Sequence, residues 1–446
     1  MIRKTSRIAI SLMLLLSLIG SVVACGSNDS SSTTTTAVST VSTATEPVKK
    51  APVTFTLATF NGWGTNDPIL KTAIKEYKEF SGNTVELQLF PDDQFLNVIR
   101  TKLASGDATD LVDIAADQTT IPTTYYEPLD GPWAASLNPL MAAKVTRASD
   151  KKITTAPYSA MSYLGAIYNK EVFAKAGVKP VLKTYNDLIA ACEAIKKIGV
   201  APIQIANKDQ AGHLWQYIGS SYLFKNESDL AANIMSNKVK PQDDAGMVEL
   251  FERTLSLKKY LKSDYASATG MDALKQVATG EVAMFANGSW CYGILQKDFS
   301  DKLPNIGIMP ITLGDDSISV TQTLGGCGFS IPTTSKHKVE AAEFINWFLQ
   351  PEKIKEWSQW SPGTWPYNGV DTEKSPWDDE MSGYVDQGLT TDLGLEGQFP
   401  NFDFVKNDGY ALSIQSMFVG KPVKDTLEAW YKGMSDVNKS KRTTGW

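Results

Sequence analysis

The sequence predicts an α/β protein whose body folds as two lobes, each a doubly wound sheet flanked by helices. Of the 446 residues, the body runs from about Pro52 to Trp446, which is longer than one hydrophobic core usually serves. Strand and helix patterns alternate from Val53 to Ala115, an order typical of a parallel sheet with helices on its faces. A second run of this kind begins at Leu164. Length and repeated alternation therefore indicate two sheets.

The first run divides into alternating elements. Residues 53–59 alternate with period two as a strand does. Asp67-Pro68 then begins a helix, since proline is favoured in a first turn, and Gly82 ends it. The next strand, helix and strand are expected at 85–89, 94–104 and 111–115. Ligands collect beyond the carboxyl ends of parallel strands, so the expected binding loops are 61–66, 91–93 and 116–120.

The second run is read in the same way. Leu164 to Tyr168 is an apolar strand, and Thr184 with Asp187 forms the capping box of a helix that Gly199 ends. Further strands are expected at 202–205, 282–285 and 306–309. Later helices are expected at 335–349, from Pro351, and from Pro422 onward.

The chain begins with an export signal. Basic residues precede an apolar run from Ile8 to Ile19, which is too short to span a membrane and is typical of a signal peptide. Val22-Val23-Ala24-Cys25 follows and resembles the lipobox at which bacterial lipoproteins are cleaved and lipidated. We predict a signal peptide over residues 1–24 and a lipid anchor at Cys25. The alternative is an ordinary signal peptide in which Cys25 has no role.

A Ser/Thr-rich segment separates the anchor from the body. Residues 25–51 have no periodicity and almost nothing large to bury, so we expect a flexible, solvated linker. Signal, anchor and linker together predict an exported protein held at the outer face of the cytoplasmic membrane. A spacer of this length suits a thick, Gram-positive-type cell wall.

Composition argues against several functions. The chain has 43 basic and 49 acidic residues, and loss of the basic leader makes the body more acidic, which disfavours nucleic acid and anionic membrane surfaces as partners. Two histidines and four cysteines form no metal-ligand pattern, so we expect no metal and no cofactor. Cys192, Cys291 and Cys327 fit buried apolar positions, and one disulfide among them is left open.

The residue inventory favours binding of an uncharged ligand without turnover. No common catalytic motif is present, although paired carboxylates leave an enzyme acting on glycans as an alternative. The body has few arginines for clamping a carboxylate or phosphate: Arg100, Arg147, Arg253 and Arg442. The 11 tryptophans suit a sugar, whose C–H face packs on aromatic rings and whose hydroxyls need polar partners.

Several segments occur in a recognisable order and spacing. They are Gly106–Asp113 (GDATDLVD), Tyr168–Phe173 (YNKEVF), Ala176–Val178 (AGV), Thr184–Leu188 (TYNDL), Gly280–Trp290 (GEVAMFANGSW), Gly325–Gly326 with Phe329–Ile331, and Ala341–Ile345 (AAEFI). Together they resemble the extracellular solute-binding proteins, maltose-binding-protein-like substrate receptors of ABC-type sugar importers. The resemblance covers essentially the whole body from about Val53.

The resemblance implies a periplasmic-binding-protein-like, or Venus-flytrap, fold that closes on its ligand. By analogy, lobe one spans 52–160 and 311–360, and lobe two spans 161–310 and 361–446. The implied function is capture of a monosaccharide or oligosaccharide and its delivery to ABC permease subunits, by a monomer that is not an enzyme. A surface enzyme acting on glycans and a receptor for another solute class are the alternatives.

Candidate ligand contacts follow from the expected loops and from the resemblance. The first-lobe loops contribute Asn61 and Trp63, Asp92 and Asp117. The segment after the strand at 282–285 contributes Asn287 and Trp290, and Trp290 is the first choice for a sugar platform. The remaining candidates are Tyr163 at the first lobe crossing, Trp215, Gly326, Trp360 and Trp365 around a Pro-Gly loop, and Asp408 before a late helix. For Trp215, helix packing is the equal alternative.

Overall fold

Two separate sheets organise the body, which is a computed structural model. It describes residues 51–60, 66–115, 123–147, 149–209, 214–315, 319–320, 326–391, 409–440 and 442–446. The predicted signal peptide, anchor and linker lie outside these residues, as do Asn61, Trp63, Asp117 and Asp408. Within them, every helix is too short or too polar to cross a bilayer.

Eleven strands are formed by the described residues. They are β1 (Thr54–Phe60), β2 (Thr84–Phe90), β3 (Leu111–Ala115), β4 (Ala156–Pro157), β5 (Leu164–Asn169), β6 (Ala201–Gln204), β7 (Val282–Gly288), β8 (Ile306–Met309), β9 (Ser319–Val320), β10 (Cys327–Ser330) and β11 (Thr390–Thr391).

Helices follow most strands. They are α1 (Asn66–Ser81), α2 (Asp92–Ser105), α3 (Pro139–Val145), α4 (Lys170–Ala176), α5 (Tyr185–Lys197), α6 (Leu214–Gly219), α7 (Ser221–Asn226), α8 (Leu230–Met235), α9 (Ala245–Ser256), α10 (Gly270–Thr279), α11 (Cys291–Asp298), α12 (Lys338–Phe348), α13 (Pro351–Trp357), α14 (Pro376–Asp386), α15 (Gly409–Phe418) and α16 (Val423–Ser440). Short 3-10 helices lie at 123–125, 132–136, 241–243, 257–260 and 303–305.

The first lobe is built on a five-stranded sheet with the order β2-β1-β3-β10-β4. β1 pairs in parallel with β2 and β3, as the alternating pattern predicts, and β10 runs antiparallel to both of its neighbours. Successive residues of β1 belong to different hydrophobic cores, since Leu57 packs on one face of the sheet and Ala58 packs on the other. The sheet is therefore covered on both faces.

The second lobe is built on a four-stranded sheet with the order β6-β7-β5-β8. β6 and β7 are parallel, but β5 is antiparallel to β7 and β8. The second sheet is therefore not all-parallel. The chain enters the second lobe at the edge where β7 ends, so β5 begins at that edge and runs in the opposite direction to β7. Met284 and Phe285 of β7 face opposite cores, so this sheet is also covered on both faces and the fold is a two-lobe α/β fold.

Three segments connect the lobes. The first crossing (158–163) joins β4 to β5, and the third (358–375) joins α13 to α14. The second crossing runs between β8 and β10, and the structure describes its residues 310–315, 319–320 and 326. Core membership places Leu313 with the second sheet, whereas Trp365 and Tyr367 pack with the first. The lobe limits at 311 and 360 stay predictions.

The first crossing is hydrogen bonded to the beginning of β10 and to the third crossing. The Tyr158 amide donates to the Cys327 carbonyl at 2.8 Å. On the other side, the Met161 amide donates to the Thr364 carbonyl at 2.9 Å and the Ala160 amide donates to Ser361 Oγ at 3.3 Å. The first crossing therefore lies between the beginning of β10 and the third crossing.

Candidate functional site

The strand ends define one edge of each sheet, and these edges lie next to the crossings. In the first lobe, β3 ends at Ala115, which pairs with Cys327 at the beginning of β10. In the second lobe, β7 ends at Gly288, which pairs with Leu164 at the beginning of β5. The short first crossing joins these two edges, so the space between the edges is the candidate binding cleft.

Trp290 lies at the second-lobe edge, directly after β7. Its ring packs so closely on Gly288 that a Cβ at that position would lie 1.8 Å from the Trp290 Cζ3 atom. The side chain is half-buried and contacts both cores of the second lobe. Gly288 therefore fixes the ring at the edge of the sheet, with part of its surface accessible.

Tyr163 is tied to the same segment. Its amide donates to Ser289 Oγ at 3.0 Å, and the Ser289 amide donates to the Tyr163 carbonyl at 2.8 Å. Burial raises the pKa of the Tyr163 phenol, while a hydrogen bond with Ser382 lowers it. The structure thus brings the predicted residues Trp290 and Tyr163 together at the junction of the first crossing and the second sheet.

Asn287 also belongs to this junction, but its side chain is fully buried. Its Oδ1 accepts a hydrogen bond from the Gly288 amide at 2.8 Å. In this geometry Asn287 shapes the end of β7 under Trp290.

Gly326 lies where the second crossing meets the first. Its φ is +60°, and a Cβ would lie 1.9 Å from Ser159 Oγ. That hydroxyl accepts a hydrogen bond from the Cys327 amide at 2.8 Å. The close backbone approach expected at Gly326 is therefore an approach to the first crossing.

Trp215 and Trp365 expose no ring face. Trp215 is 1% exposed in a second-lobe core, which fits the helix-packing alternative and corrects the platform prediction. Trp365 is 3% exposed in the first-lobe core and donates from Nε1 to the Ser361 carbonyl. Both rings are covered because their segments turn toward a sheet face, where burial of an indole is strongly favourable.

Of the two tryptophans around the Pro-Gly loop, Trp360 and Trp365, it is Trp360 that reaches an open space. Its half-buried ring stacks on Trp357 with centroids 6.1 Å apart. It lines a cavity of about 560 Å³ that extends from the third crossing to α11 and also involves Tyr292, Gln296, Glu373 and Lys374.

Asp92 begins α2 at the first-lobe edge.

A buried carboxyl below the first crossing was missed at the level of sequence. Asp113 in β3 is fully buried, and its Oδ2 accepts hydrogen bonds from Thr59 Oγ1 at 2.5 Å and Tyr158 Oη at 2.6 Å. Burial raises its pKa to about 7, although both hydrogen bonds act in the opposite direction. The available signal was an acidic residue inside the apolar strand Leu111–Ala115.

The thiols and carboxylates do not form a metal site within the described part of the chain. Among the described residues, Cys192, Cys291 and Cys327 form no disulfide, and the first two of them are buried. No group of three or more His, Cys, Asp or Glu side chains there could hold a metal ion.

Comparison with known proteins gives consistent similarities. The model of the bacterial extracellular solute-binding protein family matches residues 61–355. The melibiose/raffinose/stachyose-binding protein MelE of Bacillus subtilis is 24% identical over 306 residues, which cover 66% of this chain and 69% of MelE. Two uncharacterized ABC transporter extracellular-binding proteins of Pyrococcus horikoshii are 24% and 28% identical, but the matches span only 39% and 46% of their lengths.

Solved structures share the fold. A chitin oligosaccharide binding protein superposes with a TM-score of 0.72 at 20% identity, covering 87% of this chain and 99% of that protein. RafE in complex with raffinose gives 0.69 at 19% identity, covering 86% and 99%. A sugar transporter protein from Bacillus licheniformis in complex with stachyose gives 0.69 at 18% identity, covering 86% and 100%. The family match spans most of the chain and the fold agrees with it, so this chain belongs to the bacterial extracellular solute-binding proteins.

Proposed function

We propose that the protein captures a carbohydrate in the cleft between its lobes and delivers it to ABC permease subunits in the membrane. The observation that carries this proposal is the half-exposed Trp290 ring, held on Gly288 at the edge of the second sheet. A fixed indole at the mouth of a strand-end cleft is the platform on which the C–H face of a sugar ring packs. Tyr163 lies beside it, and the names of several relatives include oligosaccharides.

The arginines support an uncharged ligand. Arg147 binds the Asp150 carboxylate and the carbonyls of Thr123 and Tyr126. Arg253 binds Glu249 and Asp315. The guanidinium groups of Arg147 and Arg253 are thus occupied by contacts within the protein, which leaves few arginines to bind a carboxylate or phosphate ligand.

Binding without turnover is the proposed activity. An open cleft would admit the sugar, and closure would cover the Trp290 platform and present both lobes to the permease. A micromolar dissociation constant corresponds to about 8 kcal/mol, which stacked rings and a set of hydrogen bonds can supply. Asn61, Trp63, Asp92, Asp117, Trp360 and Asp408 remain proposed contacts around this cleft.

The test is a binding screen with product analysis. Purified protein is titrated with raffinose, stachyose, chitin oligosaccharides and their monosaccharides, and tryptophan fluorescence, melting temperature and recovered sugar are measured. We expect a saturable response, a raised melting temperature and unchanged sugar. Cleavage of a sugar would establish the enzyme alternative, and no response to any sugar would favour another solute class.

The lipid anchor is proposed on the sequence of the lipobox alone. Cells that express the protein are labelled with radioactive palmitate, and the Cys25→Ala variant serves as the control. We expect label and membrane retention in the wild type and release of the variant from the membrane fraction, because acyl chains supply the attachment. Equal retention of an unlabelled wild type would contradict the anchor.

A further inference from the structure

Asn207 lies just beyond β6, at the same edge of the second sheet as Trp290. The residue is 4% exposed, and its carbonyl accepts a hydrogen bond from Gln415 Nε2 of α15 at 2.7 Å. This bond holds the loop against a helix. The side-chain Oδ1 of Asn207, in contrast, is buried and has no hydrogen-bond partner among the residues that the structure describes.

Trp215 carries the complementary atom. It lies in the first turn of α6, a helix that packs against β7 and β9. Its Nε1 is buried and likewise lacks a partner within the described ranges. Three other buried indoles make this bond, since Trp357, Trp365 and Trp377 donate to the carbonyls of Phe348, Ser361 and Ile306.

Asn207 thus carries an acceptor and Trp215 a donor without a partner among the described residues. Buried polar groups in folded proteins nearly always have hydrogen bonds, because an unmade bond costs the full desolvation of the group. A hydroxyl group can donate to an amide oxygen and accept from an indole N–H. The two atoms therefore match the chemistry of a polyhydroxylated solute, and Asn207 lies at the edge where strand-end ligands bind.

We propose that Asn207 Oδ1 and Trp215 Nε1 are second-lobe hydrogen-bonding contacts for hydroxyl groups of the bound solute, and that they select for hydroxyl position. The proposal rests on the function proposed above. Trp215 then acts through the edge of its ring, whereas Trp290 acts through its face. A site built to bond a hydroxyl strongly rejects an analogue that lacks it, because the buried groups are again left unpaired.

The experiment compares Asn207→Leu and Trp215→Phe with the wild type, using the sugar of the raffinose, stachyose and chitin oligosaccharide panel that binds the wild type most tightly. Each variant removes one unpaired atom and keeps an apolar side chain. We expect a loss of affinity of about 10- to 100-fold. Melting temperatures of the ligand-free variants should be equal to or above that of a matched control, Trp377→Phe, which loses a made hydrogen bond.

The outcomes separate this assignment from the proposed function. Wild-type affinity in both variants would overturn the assignment alone. A fall in the ligand-free melting temperature of Trp215→Phe as large as that of Trp377→Phe, with affinity retained, would show that Nε1 has a partner in the free protein and would also overturn it. Failure of the wild type to bind any sugar of the panel would overturn the proposed function and this assignment with it.

Discussion

The phenol of Tyr158 donates a hydrogen bond to Asp113 Oδ2 at 2.6 Å, and neither side chain is exposed to solvent. Asp113 lies in the middle of β3, and Tyr158 is the first residue of the first crossing. The ring of Tyr158 also stacks on Phe329 of β10, with centroids 4.2 Å apart. One buried carboxyl therefore joins the first sheet to the segment that leads into the second lobe.

This carboxyl should make stability depend on pH. Its pKa in the folded protein is about 7, above the ordinary value of 3.8, so folding favours the neutral form. Its contribution is fully present below about pH 4 and is lost as the pH rises through about 7. We expect the free energy of unfolding to decrease over this range, by an amount on the order of 4 kcal/mol at most.

Urea unfolding of Asp113→Asn at several pH values checks this prediction. Asparagine stays neutral, so the decrease between about pH 4 and 7 should largely disappear. Burial also raises the pKa of Asp378, to about 6. Any decrease in the free energy of unfolding that remains in Asp113→Asn should therefore be reduced further by Asp378→Asn. A full pH dependence in Asp113→Asn would show that other groups are responsible.

Replacement of Trp290 by alanine should abolish high-affinity sugar binding. The variant removes the platform at the second-lobe edge but keeps both cores, which the ring only covers in part. We expect affinity to fall by at least about 100-fold in calorimetric titrations, equivalent to about 2.7 kcal/mol. The matched control is Trp446→Ala, which removes a half-buried indole that packs on Tyr431 away from the cleft. Equal affinity of Trp290→Ala and the control would refute the site assignment.

Gly326→Ala should destabilise the protein more than Gly388→Ala. Both glycines have positive φ, +60° and +66°, so an alanine is strained at either position. Only at Gly326 would the new Cβ also overlap Ser159 Oγ, whereas no atom lies within 4 Å at Gly388. We expect losses of about 2–4 kcal/mol and about 1 kcal/mol in denaturant unfolding. Similar losses of stability in the two variants would contradict this prediction and would mean that the second crossing shifts to accommodate the added methyl group.

Arg253→Lys should also lower stability. The guanidinium of Arg253 binds both oxygens of Asp315 at 2.9–3.0 Å and the Leu313 carbonyl at 2.7 Å, which fastens the second crossing to α9. Lysine cannot form this bidentate bond. We expect the free energy of unfolding to fall by about 1–2 kcal/mol.

An exposed ion pair serves as the control for the loss of stability in Arg253→Lys. Lys432 and Asp436 form an ion pair with both side chains largely exposed, and such pairs contribute about 0–1 kcal/mol. Lys432→Ala should therefore change stability far less than Arg253→Lys. If the two variants lose equal stability, the Arg253 contacts act as an ordinary surface pair.

The elements with strong local signals were predictable from sequence. The capping box of Thr184 and Asp187 begins α5 where expected, and Gly82 follows the end of α1 with a φ of +80°. The predicted helix at 335–349 begins later, at Lys338, because Ser335 Oγ bonds the Asp110 carboxylate and the His337 amide instead. That competition depends on a distant residue and has no local signal.

The site was only partly predictable. Trp290 and Tyr163 are adjacent in the fold. The position of Trp290 just after a buried strand was the local signal that indicated it, and its contact with a ligand stays a prediction. Trp215 in α6 and Trp365 in the third crossing are also tryptophans, but core residues that are remote in sequence cover them. Burial of this kind is decided by tertiary packing, so composition and periodicity could not separate a platform from a core indole.

The middle position of the first crossing has a mechanical consequence. Because its backbone is bonded to the beginning of β10 through Cys327 and to the third crossing through Ser361 and Thr364, the first crossing cannot bend without disturbing both neighbours. A change in the angle between the lobes must therefore be accommodated by the first and third crossings together.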